Sequence, residues 1–244
     1  FMNWLQGREL NKTAALEYKK YIYERYAPTS VNAAISSLNS FFSFVQRHDM
    51  HIKLLKIQRR IFSSEEKELT KEEYGRLLTA AKCRKNKRLY YLMQTICSTG
   101  IRVSELRYIT SEAVKNGQAV IRCKGKTRTV FLPNKLCKML KEYGKKQGIQ
   151  SGSLFVSKNG KPLDRSYIWK MLKSLCASAG VSAAKVFPHN FRHLFARTFY
   201  SLKKDIVRLA DVLGHSNIET TRIYTVETGD ICRRQIQELG LLRC

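Results

Sequence analysis

Four short motifs contain the side-chain types that breaking a phosphodiester bond without a metal would require. They read S-T-G-I-R-V-S-E-L over residues 98–106, R-C-K-G-K-T-R over 122–128, P-H-N-F-R-H over 188–193 and L-G-H-S-N-I-E-T-T-R-I-Y-T over 213–225. Attack on phosphorus needs a nucleophile, cations that offset the developing negative charge, and an acid for the leaving oxygen. Arg, Lys and His can supply these charges. The chain shows no acidic cluster suited to Mg²⁺.

The cationic residues of the first two motifs have a plain interpretation beside the chemical one. Arg102 by itself is typical of a surface charge, and Glu105 is expected to be structural, orienting a nearby cation or pairing with Arg107. Lys124 occupies a turn flanked by further basic residues, which are Arg122, Lys126 and Arg128. A solvated basic hairpin is the plain alternative for that turn.

The third motif places a histidine and an arginine on one helix face. His189 and Arg192 are spaced i, i+3, so their side chains are neighbours on a helix that begins after Pro188. The first turn of a helix favours an anion such as phosphate. A surface coincidence is the plain alternative. We expect His193, the next residue, to point elsewhere and to be structural.

The fourth motif offers a nucleophile. His215 follows Gly214, a pattern typical of a helix C-cap, and a buried neutral histidine is the plain alternative to a phosphate donor. Tyr224 is one of 12 tyrosines. A free phenol titrates near pH ~10 and is a poor nucleophile at neutral pH. Cations around Tyr224 would favour its phenolate form.

The elements that position these motifs are predicted to be mostly helical, with one small antiparallel sheet. Apolar periodicity predicts helices over residues 9–26, 29–46, 87–98, 134–147, 165–179, 189–202, 204–213, 217–224 and 229–240, with others beginning at Thr70 and near Val103. Thr70 and Glu73 form a capping-box pattern. Short strands are predicted at 119–123 and 129–132, and at 154–157 before an Asn159-Gly160 turn.

The organisation along the chain predicts two domains. Residues 1–62 form a helical domain, 63–69 a polar linker, and 70–244 a second domain. An opening Phe suggests that residues precede the sequence. The formal net charge of +26 favours a polyanionic partner, nucleic acid first. The opening residues show no signal-peptide pattern and no apolar run is long enough to span a bilayer, so we expect neither feature. The seven cysteines lack zinc spacing and fit a reducing cytoplasm.

Together, and in this order, the four motifs closely resemble those of the tyrosine recombinase family, which includes phage integrases and Xer-like enzymes. That family carries T-G-x-R-x-S-E-L, a hairpin reading G-K-G-x-K-x-R, H-x-x-R, L-G-H, and a Tyr nine residues after the last His. Tyr224 follows His215 by nine residues. The resemblance covers about residues 70–225, with a looser helical match before it. Cys123 replaces the usual Gly before the hairpin Lys, a change we expect to be harmless.

The resemblance implies a site-specific DNA recombinase that cleaves and rejoins strands through a 3′-phosphotyrosyl bond, without ATP, metal or other cofactor. The implied catalytic residues are Arg102, Lys124, His189, Arg192, His215 and the nucleophile Tyr224, with Glu105 in support and Arg122, Lys126, Arg128 and Arg222 on DNA. Lys124 is the implied general acid, and the choice between it and Lys126 stays open.

The resemblance further implies a clamp around double-stranded DNA, formed by the helical N-terminal domain and the catalytic domain. It implies a synaptic tetramer joined through the tail 226–244, accessory directionality factors, and a nucleoid-associated place in the cytoplasm of a bacterial, archaeal or mobile-element host. Two alternatives stay open. One is a type IB topoisomerase that relaxes DNA, and the other is a sequence-specific DNA-binding protein without activity.

Overall fold

The computed structural model describes residues 1–57, 68–123, 125–157, 159–224 and 237–238. It divides the chain into two compact units, Phe1–Arg60 and Ile61–Cys244. The expected mainly helical fold with a small antiparallel sheet is confirmed. No helix within the described ranges is long and apolar enough to cross a bilayer. The expected linker at 63–69 lies mostly outside the described residues.

The first unit consists of three helices, α1 (Met2–Leu5), α2 (Lys12–Tyr23) and α3 (Pro28–Phe44), followed by a 3₁₀ turn at His48–Met50. The Asn11 side chain caps α2 by accepting from the Ala14 amide, and Pro28 begins α3. The apolar stripe of α3 packs into a core that also contains Ile22 and Met50. The polar face of α3 also holds the chain that follows it, because the Asn39 side-chain amide forms two hydrogen bonds with the backbone of Ile52.

The second unit is a helical domain with a hairpin. Its elements are α4 (Lys71–Cys83), α5 (Lys87–Thr99), α6 (Ser111–Asn116), β1 (Gln118–Cys123), β2 (Lys126–Phe131), α7 (Asn134–Lys146), α8 (Arg165–Ala179), α9 (Pro188–Lys203) and α10 (Ile206–Leu213). The capping box of Thr70 and Glu73 is confirmed. Helix α5 packs on α9, α4 on α8, and β1 on α6, around one apolar core.

The hairpin is antiparallel, with Cys123 opposite Lys126 and Ile121 opposite Arg128. Ala119 and Ile121 point into the core, as the alternation of a half-buried strand requires. The described residues of the second motif therefore lie at the end of β1 and along β2.

Three predicted elements were wrong in kind. The helix near Val103 is a 3₁₀ turn over Val103–Tyr108, and the helix at 217–224 is a pair of 3₁₀ turns, Ile218–Thr220 and Arg222–Tyr224. The strand at 154–157 reduces to one isolated bridge, between Val156 and Pro162. Segments this short have too few internal hydrogen bonds to fix their geometry, so tertiary contacts decide it. The helix predicted at 229–240 lies outside the described residues except for 237–238.

The cysteines that the structure describes are free thiols, and not all of them are core residues. Cys137 and Cys176 are buried, whereas Cys83 and Cys123 are exposed.

Candidate active site

Arg192 connects three of the four motifs. It lies in the second turn of α9, and only 1% of its surface is exposed. Its Nη1 donates to the Gly100 carbonyl oxygen, and its Nη2 donates to the Leu213 carbonyl oxygen at 2.9 Å. The same Nη2 lies 2.9 Å from Nε2 of His215. The guanidinium thus ties the end of α5 to the turn that follows α10.

Glu105 holds two arginines from different motifs. Its Oε1 lies 3.1 Å from Nη1 of Arg102, and its Oε2 lies 2.7 Å from Nη2 of Arg128. Oε2 also accepts from the Arg102 backbone N–H at 2.8 Å. The expectation that Glu105 orients a nearby cation is confirmed, but its partners are Arg102 and Arg128, whereas Arg107 contacts Tyr108.

The carboxylate of Glu105 stays ionised despite being only 3% exposed. Burial raises the pKa of this carboxyl group, but the Arg102 backbone hydrogen bond and the charges of Arg128 and Arg102 outweigh burial. The pKa therefore lies below its ordinary value. A permanent anion beneath Arg102 fixes the direction of its guanidinium, which remains partly exposed.

His215 is presented by the predicted helix C-cap. Gly214 ends α10 with φ of 65°, and the His215 amide donates back to the Ala210 carbonyl oxygen at 3.0 Å. Nδ1 of His215 lies 2.9 Å from the hydroxyl of the buried Thr221. Burial lowers the pKa of His215 to about 4, with the charges of Arg192, Arg102 and Arg128 acting in the same direction. The imidazole is therefore neutral at pH 7.

Tyr224 lies against the same cluster. Its ring is 4% exposed and packs with Ala196, Leu209 and Leu213. The ring stacks near that of His215, with centroids 6.2 Å apart and planes 19° apart. The fold thus brings the phenol, Arg192 and His215 into one site, although Tyr224 follows Arg192 by 32 positions in the chain.

His193 is a site residue that sequence reasoning missed. Instead of pointing elsewhere, its ring meets that of Tyr224 edge to face, with centroids 4.9 Å apart and planes 86° apart. It also contacts His189, one turn earlier, with centroids 4.8 Å apart. The i, i+4 spacing of His189 and His193 was a visible signal that these two share a helix face. The contact with Tyr224 joins distant segments and had no local signal.

Burial and nearby positive charge hold the imidazoles of His189, His193 and His215 in the neutral form. Burial lowers the pKa of His193 to about 4, helped by His189 and Arg192. Burial and the charges of Arg192, Arg102 and Arg165 lower the pKa of His189 as well. Arg192 itself is affected, because burial and Arg102 lower its pKa to about 10. The clustered positive charge contributes to the lowered pKa of each neighbouring base. The same charge favours the binding of an anion at this site.

The remaining residues expected at the site differ in how they are placed. Arg122 and Arg222 have exposed side chains, with Arg222 3.3 Å from Glu219. Arg128 has a side chain only 16% exposed, engaged beneath the surface. Lys124 lies outside the described residues, and Lys126 is described for its backbone alone. The assignment of Lys124, or alternatively Lys126, as the general acid stays a prediction.

Comparison with known proteins identifies the family. The model of the phage integrase family matches residues 67–229, which contain all four motifs. The chain belongs to this family. It is 30% identical to tyrosine recombinase XerD of Halalkalibacterium halodurans, over 90% of this chain and 78% of that protein. It is also 30% identical to tyrosine recombinase XerA of Thermococcus kodakarensis, over 99% of this chain and 86% of that protein.

Solved structures of related recombinases share the architecture of this phage integrase family member. The crystal structure of XerA recombinase superposes with a TM-score of 0.61 at 26% identity, covering 96% of this chain and 85% of that chain. The post-cleavage complex of XerH with a palindromic difH substrate superposes with a TM-score of 0.71 at 20% identity, over 96% of this chain and 72% of that chain. This protein is accordingly a tyrosine recombinase, an enzyme of site-specific recombination.

Proposed function

We propose that Tyr224 is the nucleophile of this recombinase and that double-stranded DNA is its substrate. The phenol oxygen attacks the scissile phosphate, the P–O5′ bond breaks, and a 3′-phosphotyrosyl bond and a free 5′-OH remain. A 5′-OH from a partner duplex then reverses the step. One observation carries the proposal: the third and fourth motifs converge, so that Arg192 contacts His215 and the His215 ring stacks near the ring of Tyr224.

The charges of the site fit each part of this step. Arg102, directed by Glu105, and Arg192 offset the negative charge that develops on the non-bridging oxygens. His189 is a neutral base beside the same point and can accept the phenol proton, and His215 contacts a phosphate oxygen. Lys124 is the proposed acid for the leaving 5′ oxygen, with Lys126 as its alternative. No step of this transesterification requires a metal or ATP.

DNA as the partner is supported by charge and by the related structures. The formal net charge of +26 favours a polyanion. Solved neighbours include XerH bound to difH DNA, the Tn1549 transposon integrase with transposon-end DNA, and lambda integrase on a core site. Arg122, Lys126 and Arg222 are proposed phosphate contacts, and the two units of the chain are proposed to clamp the duplex.

Covalent capture on a nicked suicide substrate tests the nucleophile. The wild-type chain should leave a protein–DNA adduct that survives denaturation. Tyr224→Phe should bind the same DNA and leave none. Tyr200→Phe is the matched control, because Tyr200 packs in the same small apolar cluster, and it should form the adduct normally. An adduct that persists in Tyr224→Phe would reject the assignment.

The two alternatives differ in product. A type IB topoisomerase would relax supercoiled plasmid and give no recombinant, whereas a recombinase joins strands from two duplexes. A DNA-binding protein without activity would bind and leave no adduct at all. The relatives and solved neighbours are recombinases by name, and we expect recombinant product when two cognate sites are supplied.

We further propose that the protein works as a tetramer on DNA, with the tail 226–244 of each copy docked on a neighbour, and with accessory factors setting direction. The tail carries apolar residues, including Ile231 and Leu239, that could form such a contact. Its activity would place the protein on the nucleoid in the cytoplasm. Leu239→Glu should abolish tetramers on DNA in analytical ultracentrifugation, whereas Gln237→Glu, at an exposed tail position, should not. Tetramers of unchanged stability in Leu239→Glu would contradict the docking proposal.

A further inference from the structure

Arg128 was expected to contact DNA, but it lies beneath the site surface, between two of the proposed catalytic groups. It is on β2, opposite Ile121. Its Nη2 donates to Oε2 of Glu105 at 2.7 Å, and its Nη1 donates to the Val212 carbonyl oxygen at 2.7 Å. One guanidinium therefore spans from the carboxylate that holds Arg102 to the last turn of α10, just before His215.

The aliphatic part of Arg128 also shapes the turn that presents His215. A Cβ added at Gly214 would overlap Cδ of Arg128 and lie 2.8 Å from its Nε. Gly214 is therefore required twice, once for its φ of 65° and once for the space that Arg128 occupies. The Nε of Arg128 is buried with no hydrogen-bond partner among the described residues. Packing against this turn therefore leaves one buried donor unsatisfied, which costs folding free energy.

We propose that Arg128 is a positioning residue, which fixes Arg102 through Glu105 and fixes His215 through the 212–214 turn. This inference rests on the proposed function, in which Arg102 and His215 contact the scissile phosphate. Its side chain is only 16% exposed, and each terminal nitrogen donates to an oxygen of the protein, so little of this guanidinium is available to a DNA phosphate. Arg122, on the paired strand, is exposed instead.

Arginine suits this role because its planar guanidinium donates in two fixed directions at once. A lysine keeps the positive charge but is a single compact centre, and it cannot span Glu105 and Val212 in the same geometry. Arg128→Lys therefore distinguishes a DNA phosphate contact from a link between Glu105 and Val212. A phosphate contact tolerates lysine because the charge is retained, whereas lysine cannot maintain the two hydrogen bonds of the link.

The test compares Arg128→Lys and Arg128→Ala with Arg122→Ala. In single-turnover cleavage at saturating suicide DNA, both Arg128 variants should lose about 100-fold in the rate of adduct formation, because a displacement near 1 Å costs that much. Their DNA affinity should change less than threefold, and the salt slope of binding should not change. Arg122→Ala should instead weaken binding and reduce the slope by about 1.

A second measurement on DNA-free protein keeps this inference separate from the proposed function. Amide hydrogen exchange at residues 213–215, including the His215 amide bonded to Ala210, should accelerate at least tenfold in Arg128→Lys and not in Arg122→Ala. If the wild-type chain forms no adduct, the proposed function fails. The hydrogen-exchange result on DNA-free protein then still tests whether Arg128 fixes the 212–214 turn. The inference would be overturned if Arg128→Lys showed wild-type hydrogen exchange and wild-type cleavage while Arg128→Ala bound DNA more weakly and with less salt dependence. Arg128 would then be a phosphate contact.

Discussion

Nη2 of Arg192 lies 2.9 Å from Nε2 of His215, and this contact fixes the tautomer of the imidazole. A guanidinium can only donate, so Nε2 accepts, and Nδ1 carries the proton that it donates to the Thr221 hydroxyl at 2.9 Å. In this neutral form His215 has no N–H to offer a phosphate through Nε2. It gains that donor only when it is protonated.

DNA binding should therefore be accompanied by proton uptake. Burial and nearby cations hold the pKa of His215 at about 4, and a phosphate beside the ring raises the pKa because it favours the charged form. Affinity should consequently rise as pH falls from 7 to 5.5. Calorimetry at pH 5.5 in buffers of different ionisation enthalpy measures the uptake directly. His215→Gln should bind fewer protons than wild type, and equal uptake in both proteins would contradict this assignment.

Arg192→Met should abolish cleavage and change stability little. Burial and Arg102 lower the pKa of Arg192 to about 10, so removing its charge gains a few kcal/mol at about 1.4 kcal/mol per pKa unit. Leaving the Gly100 and Leu213 carbonyl oxygens unpaired costs about 1–3 kcal/mol each. These terms oppose, and we expect a net change within about 2 kcal/mol in urea unfolding.

The exposed Arg84, which donates to the Ser174 carbonyl oxygen, provides the control for this variant. Arg84→Met should retain cleavage with a similarly small change in stability. A large loss of stability in Arg192→Met, beyond about 4 kcal/mol, would show that its hydrogen bonds outweigh the cost of its buried charge.

Gly100→Ala should destabilise the second unit strongly. An added Cβ would lie 2.6 Å from Cε1 of Phe195 and 3.1 Å from Cδ2 of Leu213, at a backbone φ of 65°. Left-handed strain costs about 1–2 kcal/mol and overpacking about 1–3 kcal/mol more. Gly117→Ala is the matched control, since its φ is 70° but no atom lies within 4 Å. Equal losses of thermal stability in the two variants would contradict the packing argument.

His193→Asn should flatten the pH dependence of stability. The pKa of His193 is about 4 in the fold and 6.5 in its ordinary state, so the unfolded chain binds more protons between those values. The free energy of unfolding must then fall as pH falls from 6.5 toward 4. The variant should lose part of this slope in urea titrations from pH 4.5 to 7.5. His48→Asn, at an exposed histidine of the first unit, should keep the wild-type slope; a matching reduction there would reject the assignment.

Salt should weaken DNA binding steeply. Each neutralised phosphate lowers log affinity by about 0.9 per tenfold increase in salt. The side chain of Arg222 is 63% exposed, and Arg222→Gln should reduce the slope by about 1. Fluorescence anisotropy from 50 to 300 mM salt measures both slopes. A flat profile for wild type would contradict the electrostatic account, and an unchanged slope in Arg222→Gln would remove that residue from the interface.

The amino-acid sequence by itself determined the features that depend on neighbouring residues. The capping box at Thr70, the glycine C-cap before His215 and the long amphipathic helices follow from local hydrogen bonding and periodicity, and the structure confirms them. The order and spacing of the four motifs also sufficed to indicate the family. The caps and the helical periodicity each lie within a few consecutive turns of the chain, where backbone geometry fixes which side chains are neighbours, and the order of the motifs is read directly from the residue types.

Only the tertiary structure decided which side chains meet across elements. It turned Arg128 inward to Glu105 and Val212, and it set His193 against Tyr224. It also made 3₁₀ turns of short segments that carry a helical pattern. The physical reason is that burial and hydrogen-bond partners come from residues tens of positions away, and a local pattern shows which face a side chain occupies but not what packs against that face.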